Sequence, residues 1–236
     1  MTFTKAERKK SKLRLAITGT AGSGKTYGAL LIAQGLGGKI AMIDTENGSG
    51  NVYASLCNYD ICSLSAPYHP NKYVQLIHEA EQAGYNVIII DSLSHEWSGI
   101  GGCLDLQSNL TATKYKGNSF VAWREITPLH NAVIDSILGS KAHIIATIRS
   151  KTEYSQVKNE QGRYEVLKTG LAPVQREGLD YEFGTVFDLS PNHMALVSKD
   201  RSGLFGDTPF KLSKIIGERL LKWLDAGEET AKGGGA

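Results

Sequence analysis

A glycine-rich segment near the start of the chain has the residue types and spacing that hold a chain of phosphates. Residues 19–26 read GTAGSGKT and lie between an apolar run and a helix-forming segment. Phosphate oxygens need several backbone N–H groups turned toward one point, and glycine permits the tight loop that achieves this. The positive end of the following helix adds to the attraction. Contacts to a nucleoside triphosphate are therefore predicted at Gly19, Thr20, Ala21, Gly22, Ser23, Gly24, Lys25, Thr26 and Tyr27.

Two side chains of this segment and a distant aspartate complete the expected site. Lys25 can reach the β- and γ-phosphates, and the hydroxyl of Thr26 can ligate Mg²⁺. Asp91 ends the apolar run 87–90, where a carboxylate can hold the same ion through a water molecule. The alternatives are a chance glycine turn and a surface aspartate at the end of a strand. The sequence thus predicts ATP and Mg²⁺ as cofactors.

Glu46 is the candidate for activating water. Hydrolysis needs a base or polarising group beside the attacking water. Glu46 follows the apolar run 39–44, at the strand end where open α/β sheets bind ligands. A solvated or helix-capping glutamate is the alternative. His95 and Glu96 follow Asp91 closely and are further candidates for orienting the water or relaying its state, with a core or capping histidine as the alternative for His95.

A parallel sheet would bring these residues together. Strands are predicted at 13–18, 39–44, 61–65, 87–91 and 142–148, and helices at 27–35, 71–83, 119–138 and 213–226. This alternation indicates an α/β fold with a mostly parallel central sheet flanked by helices. Strands at 185–189 and 194–198 predict an antiparallel β-hairpin near the C-terminus.

The remaining segments are predicted to be less regular. Residues 98–117, rich in Gly, Ser, Asn and Thr, predict an irregular insertion. The helical segment after it is expected to break near Thr127 and Pro128, because threonine can cap a helix and proline can start one. Residues 151–168 predict a polar hairpin or a mobile loop, with its turn at 159–162. The predicted domain organisation is an exposed arm at 1–12, one ATPase domain at 13–226 and a disordered tail at 227–236.

Composition excludes several other classes. The chain has 236 residues, is 41% hydrophobic and 21% charged, and suits one soluble globular domain. Its net charge of +2 is too small to indicate a nucleic-acid partner by itself. The apolar runs fall far short of the roughly 20 residues that cross a bilayer, so we expect no membrane partner and a cytoplasmic location. Three cysteines without a CxxC pair indicate reduced thiols, and no metal motif predicts zinc.

The phosphate-binding segment, the DTE after the second strand and the IIIDS around Asp91 together resemble RecA-like ATPases rather than P-loop kinases. The chain is similar to small phage ATPases of the AAA/RecA type, a group that includes single-strand annealing recombinases. The stretches that carry this resemblance are KLRLAITGTAGSGKTYGALLIAQGLGGKIAMIDTENGS, IIIDSLSHEW, HIIATIRSKTEY, PVQREGLDYEFGTVFDL and KDRSGLFGD, spread over residues 12–207. The resemblance implies a RecA-like P-loop NTPase core. It also implies ATP hydrolysis, assembly into rings or filaments, and binding of single-stranded DNA during annealing or homologous recombination. A single-strand binding protein is a further candidate partner.

The resemblance also implies roles for cations far from residues 19–26. Thr147 and Arg149 correspond to the strand end that senses the γ-phosphate in RecA-like proteins and signals to the DNA-binding loop. Lys199 and Arg201 resemble the KxR pair of KaiC-type proteins, whose cations reach a neighbour's γ-phosphate across a subunit interface. The alternative in each case is a solvated cation.

The resemblance further suggests where other molecules bind. Phe3 and Ala6 fit the FxxA pattern by which eukaryotic and archaeal recombinases dock on the next protomer; a disordered arm is the alternative. Two segments mix cations with aromatic residues, one around 114–124 that includes Phe120, Trp123 and Arg124, and one at 149–176. They resemble in position the two mobile DNA loops of RecA-like proteins, although either could be an ordinary solvated loop. The predicted DNA contacts are Lys114, Lys116, Lys151, Lys158, Arg163, Lys168 and Arg176.

Three other functions compete with this interpretation. A small-molecule P-loop kinase would use Arg149, Arg163 and Arg176 as a lid over two substrates. A non-catalytic switch would bind ATP only to organise partners. A helicase or packaging motor is less favoured, because directional work usually needs further domains.

Overall fold

The computed structural model describes residues 3–158 and 164–227, which form a central sheet with helices on both faces. The strands are β1 (Arg14–Gly19), β2 (Ile40–Asp44), β3 (Asp60–Ser63), β4 (Val87–Asp91), β5 (His143–Lys158), β6 (Tyr164–Pro173), β7 (Thr185–Leu189) and β8 (Ala195–Asp200). The α-helices are α1 (Lys25–Leu36), α2 (Pro70–Gln82), α3 (Ser94–Ser98), α4 (Cys103–Thr113), α5 (Ser119–Gly139) and α6 (Lys214–Asp225). Short 3₁₀ turns lie at Ser49–Tyr53 and Leu179–Tyr181.

The sheet confirms the predicted architecture. Its strand order is β3-β2-β4-β5-β1-β7-β8, with β6 beside β5. Neighbouring strands from β3 to β7 in this order are parallel, whereas β8 is antiparallel to β7. The chain therefore has an α/β fold with a mostly parallel sheet and an antiparallel C-terminal hairpin.

The two faces of the sheet are covered by different helices. Ile88 and Ile90 of β4 pack in the cluster that includes side chains of α2 and α5. Val87 and Ile89 of the same strand pack in the opposite cluster, which includes side chains of α1 and α6. Burial on both faces explains why this strand is a continuous apolar run rather than an alternating one.

The predicted irregular insertion at 98–117 is wrong, because most of it forms α4. This helix packs beside α5 and has one buried residue, Cys103. A helix with so little buried surface needs few apolar residues. Its polar composition therefore imitates a loop.

The predicted break near Thr127 and Pro128 is also wrong, because α5 runs continuously through Pro128. Proline removes one N–H from the helix interior and normally disturbs it. Here the helix buries Ala122 and Ile126 before the proline and Val133 after it. Packing along the whole length stabilises the helix across the missing hydrogen bond.

The predicted polar hairpin is formed by the second half of β5 and by β6, paired from Ser150 with Pro173 to Lys158 with Tyr164. Its predicted turn at 159–162 lies outside the described residues. Strand β5 is longer than predicted. Its first part lies in the central sheet beside β1 and β4, and its second part continues into the hairpin.

The N-terminal arm is exposed along residues 3–12 and lies against α6. The Arg8 guanidinium sits 4.9 Å from the ring centroid of Trp223 and donates to that residue's carbonyl. The backbone N–H of Ser11 donates to the carbonyl of Leu224 at 3.2 Å. The tail predicted to be disordered lies outside the described residues beyond Gly227, and the predicted domain limits stay predictions. Among the described helices, none combines the length and apolar character needed to cross a bilayer.

Candidate active site

The segment 19–24 forms the turn between β1 and α1, and its glycines are required by its shape. Gly22 and Gly24 have φ of 76° and 92°, values that side-chain-bearing residues rarely adopt. A Cβ on Gly19 would lie 2.4 Å from Ser23 Oγ and 2.9 Å from the Leu189 carbonyl oxygen. The turn delivers the chain into α1 at Lys25, so the first N–H groups of the helix face the space above the loop.

Lys25 lies across this loop. Its Nζ donates to the carbonyl of Thr20 at 2.8 Å. Burial lowers the pKa of Lys25, while the nearby carboxylates of Asp91 and Glu46 act in the opposite direction. The hydroxyl of Ser23 is buried without a hydrogen-bond partner among the described residues. A buried hydroxyl in this position suits an anion held by the loop.

Asp91 and Thr26 meet beside the loop. The Thr26 hydroxyl donates to Asp91 Oδ2 at 2.6 Å, and the Thr147 hydroxyl donates to Asp91 Oδ1. Burial raises the pKa of Asp91, and the two hydroxyl hydrogen bonds oppose that shift. A carboxylate and a hydroxyl beside a phosphate-binding loop are the hard oxygen donors that Mg²⁺ takes. These residues therefore fit the metal that the sequence predicts.

Glu46 forms an ion pair with Arg149. The guanidinium donates from Nε to Oε1 at 2.8 Å and from NH2 to Oε2 at 2.5 Å. Burial raises the pKa of Glu46, but the hydrogen bonds and charge of Arg149 outweigh it and hold that pKa below its ordinary value. The two residues are 103 positions apart, and the ends of β2 and β5, which lie on either side of β4, bring them together. Glu46 therefore lines the same cavity as the loop, with its carboxylate paired with the Arg149 guanidinium, and its role toward water stays a prediction.

A second set of contacts fixes the strand ends beneath Glu46. The Thr45 hydroxyl lies 2.7 Å from His95 Nδ1 and accepts from the backbone N–H of Ser92 at 2.8 Å. The His95 ring stacks on Tyr68 with centroids 4.7 Å apart. Burial lowers the pKa of His95, followed by the charge of Arg149. His95 thus ties the ends of β2 and β4 together, a positioning role that the sequence did not predict.

These groups surround one cavity of about 1050 Å³. The loop 21–26, Glu46, Asp91 and Arg149 line it together. Tyr27 and Tyr53, edge to face with ring centroids 6.0 Å apart, also line it. The cavity brings the backbone of the loop, the oxygens of Thr26 and Asp91, and apolar ring surfaces into one space.

Other residues that line this cavity could not be predicted from the sequence. His193 lies over the loop with Nδ1 3.0 Å from the Ser23 carbonyl oxygen, and Lys211 and Leu212 line the same wall. They arrive from the hairpin between β7 and β8 and from the approach to α6. No spacing relates them to residues 19–26, so only the fold could reveal them.

Glu96 does not face this cavity but lies in a buried polar cluster behind it. The Cys103 thiol donates to its Oε1 at 3.0 Å, and His130 Nδ1 lies 3.1 Å from the same oxygen. Gln175 Nε2 donates to Oε2 at 3.2 Å and to the Leu93 carbonyl at 3.1 Å. Burial raises the pKa of the Cys103 thiol, with Glu96 adding to the shift. The sequence contained no signal for this cluster, because its members come from α3, α4, α5 and the segment after β6.

Replacing Glu96 by alanine should lower the free energy of unfolding by about 3 kcal/mol or more, because buried donors lose their shared acceptor. Chemical denaturation followed by circular dichroism measures this change. The matched control is Glu79→Ala, which removes a carboxylate from the exposed face of α2 and should cost about 0.5 kcal/mol or less. Equal effects of the two substitutions would show that the cluster does not stabilise the fold.

Lys199 and Arg201, the cations predicted to act between subunits, lie at the end of the sheet that is opposite to the loop. Because β8 is antiparallel to β7, Lys199 pairs with Val186 near the start of β7, whereas Leu189 at its end pairs with Gly19. Lys199 Nζ donates to the carbonyls of Asp180 and Tyr181 at 3.0 and 2.6 Å. Neither Lys199 nor Arg201 lines the cavity of its own chain. Phe3 and Ala6 are exposed, and their interface role stays a prediction.

The predicted DNA contacts are dispersed. Lys114 is ion-paired with Glu125, and Lys116 is exposed. Lys151 is exposed near the start of the hairpin, and Arg176 is half-buried after it. Arg163 and the side chains of Lys158 and Lys168 lie outside the described part of the chain. Their DNA contacts stay predictions.

Comparison with known proteins agrees with this geometry. A protein-family model described as an AAA domain matches residues 11–202. No curated protein matches the chain.

Proposed function

The chain belongs to the AAA domain family, and from this premise we propose that it hydrolyses ATP with Mg²⁺, assembles with copies of itself and acts on single-stranded DNA during annealing or homologous recombination. The observation that carries the proposal is that Lys25, Thr26 and Asp91 meet at the carboxyl ends of the central strands. The backbone N–H groups of the loop and Lys25 bind the phosphates. Thr26 and Asp91 would hold Mg²⁺, which would neutralise part of the phosphate charge.

Glu46 is the proposed base for the attacking water. A carboxylate paired with a guanidinium accepts a proton poorly, since the ion pair stabilises its charged form. The pair with Arg149 must therefore open before Glu46 acts. The γ-phosphate offers the guanidinium another anionic partner, and Arg149 lines the same cavity. Arg149 then contributes to phosphate binding while Glu46 is released toward the water.

Replacing Arg149 by glutamine should move the acid limb of the pH–rate profile to higher pH. Without the guanidinium, burial dominates and raises the pKa of Glu46, so activity is lost earlier as the pH falls. In the native protein the same loss occurs below the ordinary pKa of a glutamate. The measurement is kcat/KM for ATP from acidic to neutral pH. Lys151→Gln removes a nearby exposed cation and should leave the limb in place; an unmoved limb in Arg149→Gln would argue against Glu46 as the titrating base.

The position of Lys199 and Arg201 supports assembly. Lys199 pairs with Val186, three residues before the end of β7, so about 10 Å of strand separates its backbone from the phosphate-binding end of the sheet, and Arg201 lies farther away. Because neither side chain lines the cavity of its own chain, we propose that they act on a triphosphate bound by another copy. A cation supplied from a neighbour would make hydrolysis depend on assembly.

The path of β5 supports a link between ATP and DNA. Thr147 and Arg149 contact the residues of the nucleotide site, and the same strand continues directly into the hairpin with β6. A change at Arg149 would therefore arise two residues of backbone away from Lys151, at the start of the hairpin. We propose this hairpin as one DNA-contacting element.

Adding single-stranded DNA should raise the ATPase rate, and this stimulation should fall steeply with salt because phosphate contacts release counterions. Steady-state hydrolysis with and without oligo(dT), across a salt series, measures it. Electron microscopy of the same samples reports assembly. A rate that responds to neither DNA nor salt would contradict the DNA-dependent part of the proposal, and phosphoryl transfer to an added small acceptor would favour a kinase.

A further inference from the structure

Away from the ATP cavity, a groove of about 640 Å³ combines aromatic rings with cations. Trp97 of α3 and Trp123 of α5 stack with ring centroids 5.4 Å apart and an angle of 18° between their planes. Phe120, one helical turn before Trp123, is 86% exposed and lines the same groove. A large aromatic side chain this exposed beside two stacked indoles forms an uncovered aromatic surface.

The charged side chains lining the groove are two arginines. Arg124 and Arg176 both line it, and neither side chain makes a hydrogen bond or ion pair within the described part of the chain. Two acidic residues, Glu177 and Glu182, line the adjacent hollow, which Arg176 also borders, and neither of them lines this groove. An occupant with aromatic faces and negative charge would satisfy both the rings and the guanidinium groups.

From this combination we infer that the groove is a stacking site for an unpaired base of single-stranded DNA, with Arg124 and Arg176 holding the adjoining phosphates. This inference rests on the proposed function for the identity of the partner. Bases present a flat π-face to indole and phenyl rings, whereas a cationic ligand would be repelled by the two arginines. Paired bases in a duplex have no free face, so the groove selects single strands.

The backbone around the groove leads back to the ATP site. Val174 N–H donates to the Arg149 carbonyl at 2.6 Å. The Gln175 side chain donates to the Leu93 carbonyl, just before α3, and to the Glu96 carboxylate within it. Arg176 follows directly, with its N–H donating to the Gln175 side-chain oxygen at 2.7 Å. The base-stacking site therefore shares its supporting segment with the strand that carries Arg149.

Photocrosslinking tests the location of the DNA. Oligo(dT) carrying one 5-iododeoxyuridine is irradiated with the full-length protein, and the adducts are mapped by mass spectrometry. We expect adducts on Trp97, Phe120 or Trp123. Adducts confined to other aromatic residues, such as Tyr27 or Trp223 on the opposite helix layer, would overturn the assignment.

Affinity measurements test the chemistry of the site. Fluorescence anisotropy of labelled oligo(dT) should show roughly tenfold weaker binding for Trp123→Leu and for Phe120→Ser, which replaces an exposed residue and preserves folding. Arg124→Gln should reduce the salt slope by about one unit. The matched controls Trp223→Phe and Lys141→Gln should bind as the native protein does. An abasic oligonucleotide of equal length should bind the native protein weakly and distinguish it little from Trp123→Leu and Phe120→Ser, because it lacks the stacking base.

The outcomes separate the two proposals. Native-like DNA binding by Trp123→Leu, Phe120→Ser and Arg124→Gln would overturn the groove while leaving a DNA-stimulated ATPase intact. A native protein that hydrolyses ATP but binds neither oligo(dT) nor duplex DNA would overturn the DNA role as well. Equal affinity for abasic and base-containing strands would show binding by charge alone and would contradict stacking.

Discussion

Replacing Lys25 by alanine should weaken ATP binding by roughly 100-fold or more, because a charge-assisted contact to the β- and γ-phosphates is lost in a partly buried site. The lysine already lies across the loop, with its Nζ held by the Thr20 carbonyl. Removing it leaves the loop N–H groups, Arg149 and the metal to balance the phosphate charge. Isothermal titration calorimetry with Mg²⁺ and ATP measures the change.

The control for this experiment is Lys39→Ala. Lys39 is an exposed lysine just before β2, outside the cavity, and its removal changes net charge by the same amount. We expect its ATP affinity to match that of the native protein. If Lys25→Ala also kept native affinity, the phosphate contacts assigned to residues 19–26 would be wrong.

Replacing Glu46 by glutamine should leave ATP binding intact and slow turnover by roughly 100-fold or more, the usual contribution of a general base. Glutamine keeps the shape and the hydrogen-bonding capacity toward Arg149 but cannot take a proton from water. Single-turnover hydrolysis, compared with calorimetric affinity, separates the chemical step from binding.

Glu79→Gln is the matched control, since it makes the same chemical change on the exposed face of α2. It should hydrolyse ATP at the native rate. Near-native turnover in Glu46→Gln would assign water activation to another group. If that variant turned over slowly yet kept full biological activity, the chain would act as a nucleotide-binding switch, and hydrolysis would not be needed for its function.

The phosphate-binding loop could be predicted from sequence because all its determinants are consecutive. Gly22, Gly24, Lys25 and Thr26 form the turn and the helix start with little help from the rest of the chain. The position of Asp91 could be predicted for a related reason, since an apolar run ending in a carboxylate indicates the carboxyl end of a buried strand.

Features made by distant segments could not be predicted. The ion pair of Glu46 with Arg149 joins two strand ends, and the cluster around Glu96 draws Cys103 and His130 from separate helices. The stacking of Trp97 on Trp123 has the same origin. Such contacts depend on how α3, α4 and α5 pack, and no local spacing encodes that packing.

The two errors in secondary structure arise from packing as well. Along α4 a single residue, Cys103, is buried. The other positions can therefore be polar, and the helix has no clear apolar pattern. α5 passes through Pro128 because buried side chains on both sides hold it. At Pro128 tertiary contacts outweighed local propensity, whereas in α4 the small buried surface left the helix without an apolar pattern.

A crystal structure with Mg²⁺ and a non-hydrolysable ATP analogue tests the central claim most directly. We predict the triphosphate within hydrogen-bonding distance of the N–H groups of residues 22–26 and of Lys25 Nζ. The metal should lie beside the Thr26 hydroxyl and the Asp91 carboxylate. A nucleotide bound elsewhere, with Lys25 still on the Thr20 carbonyl, would contradict the account.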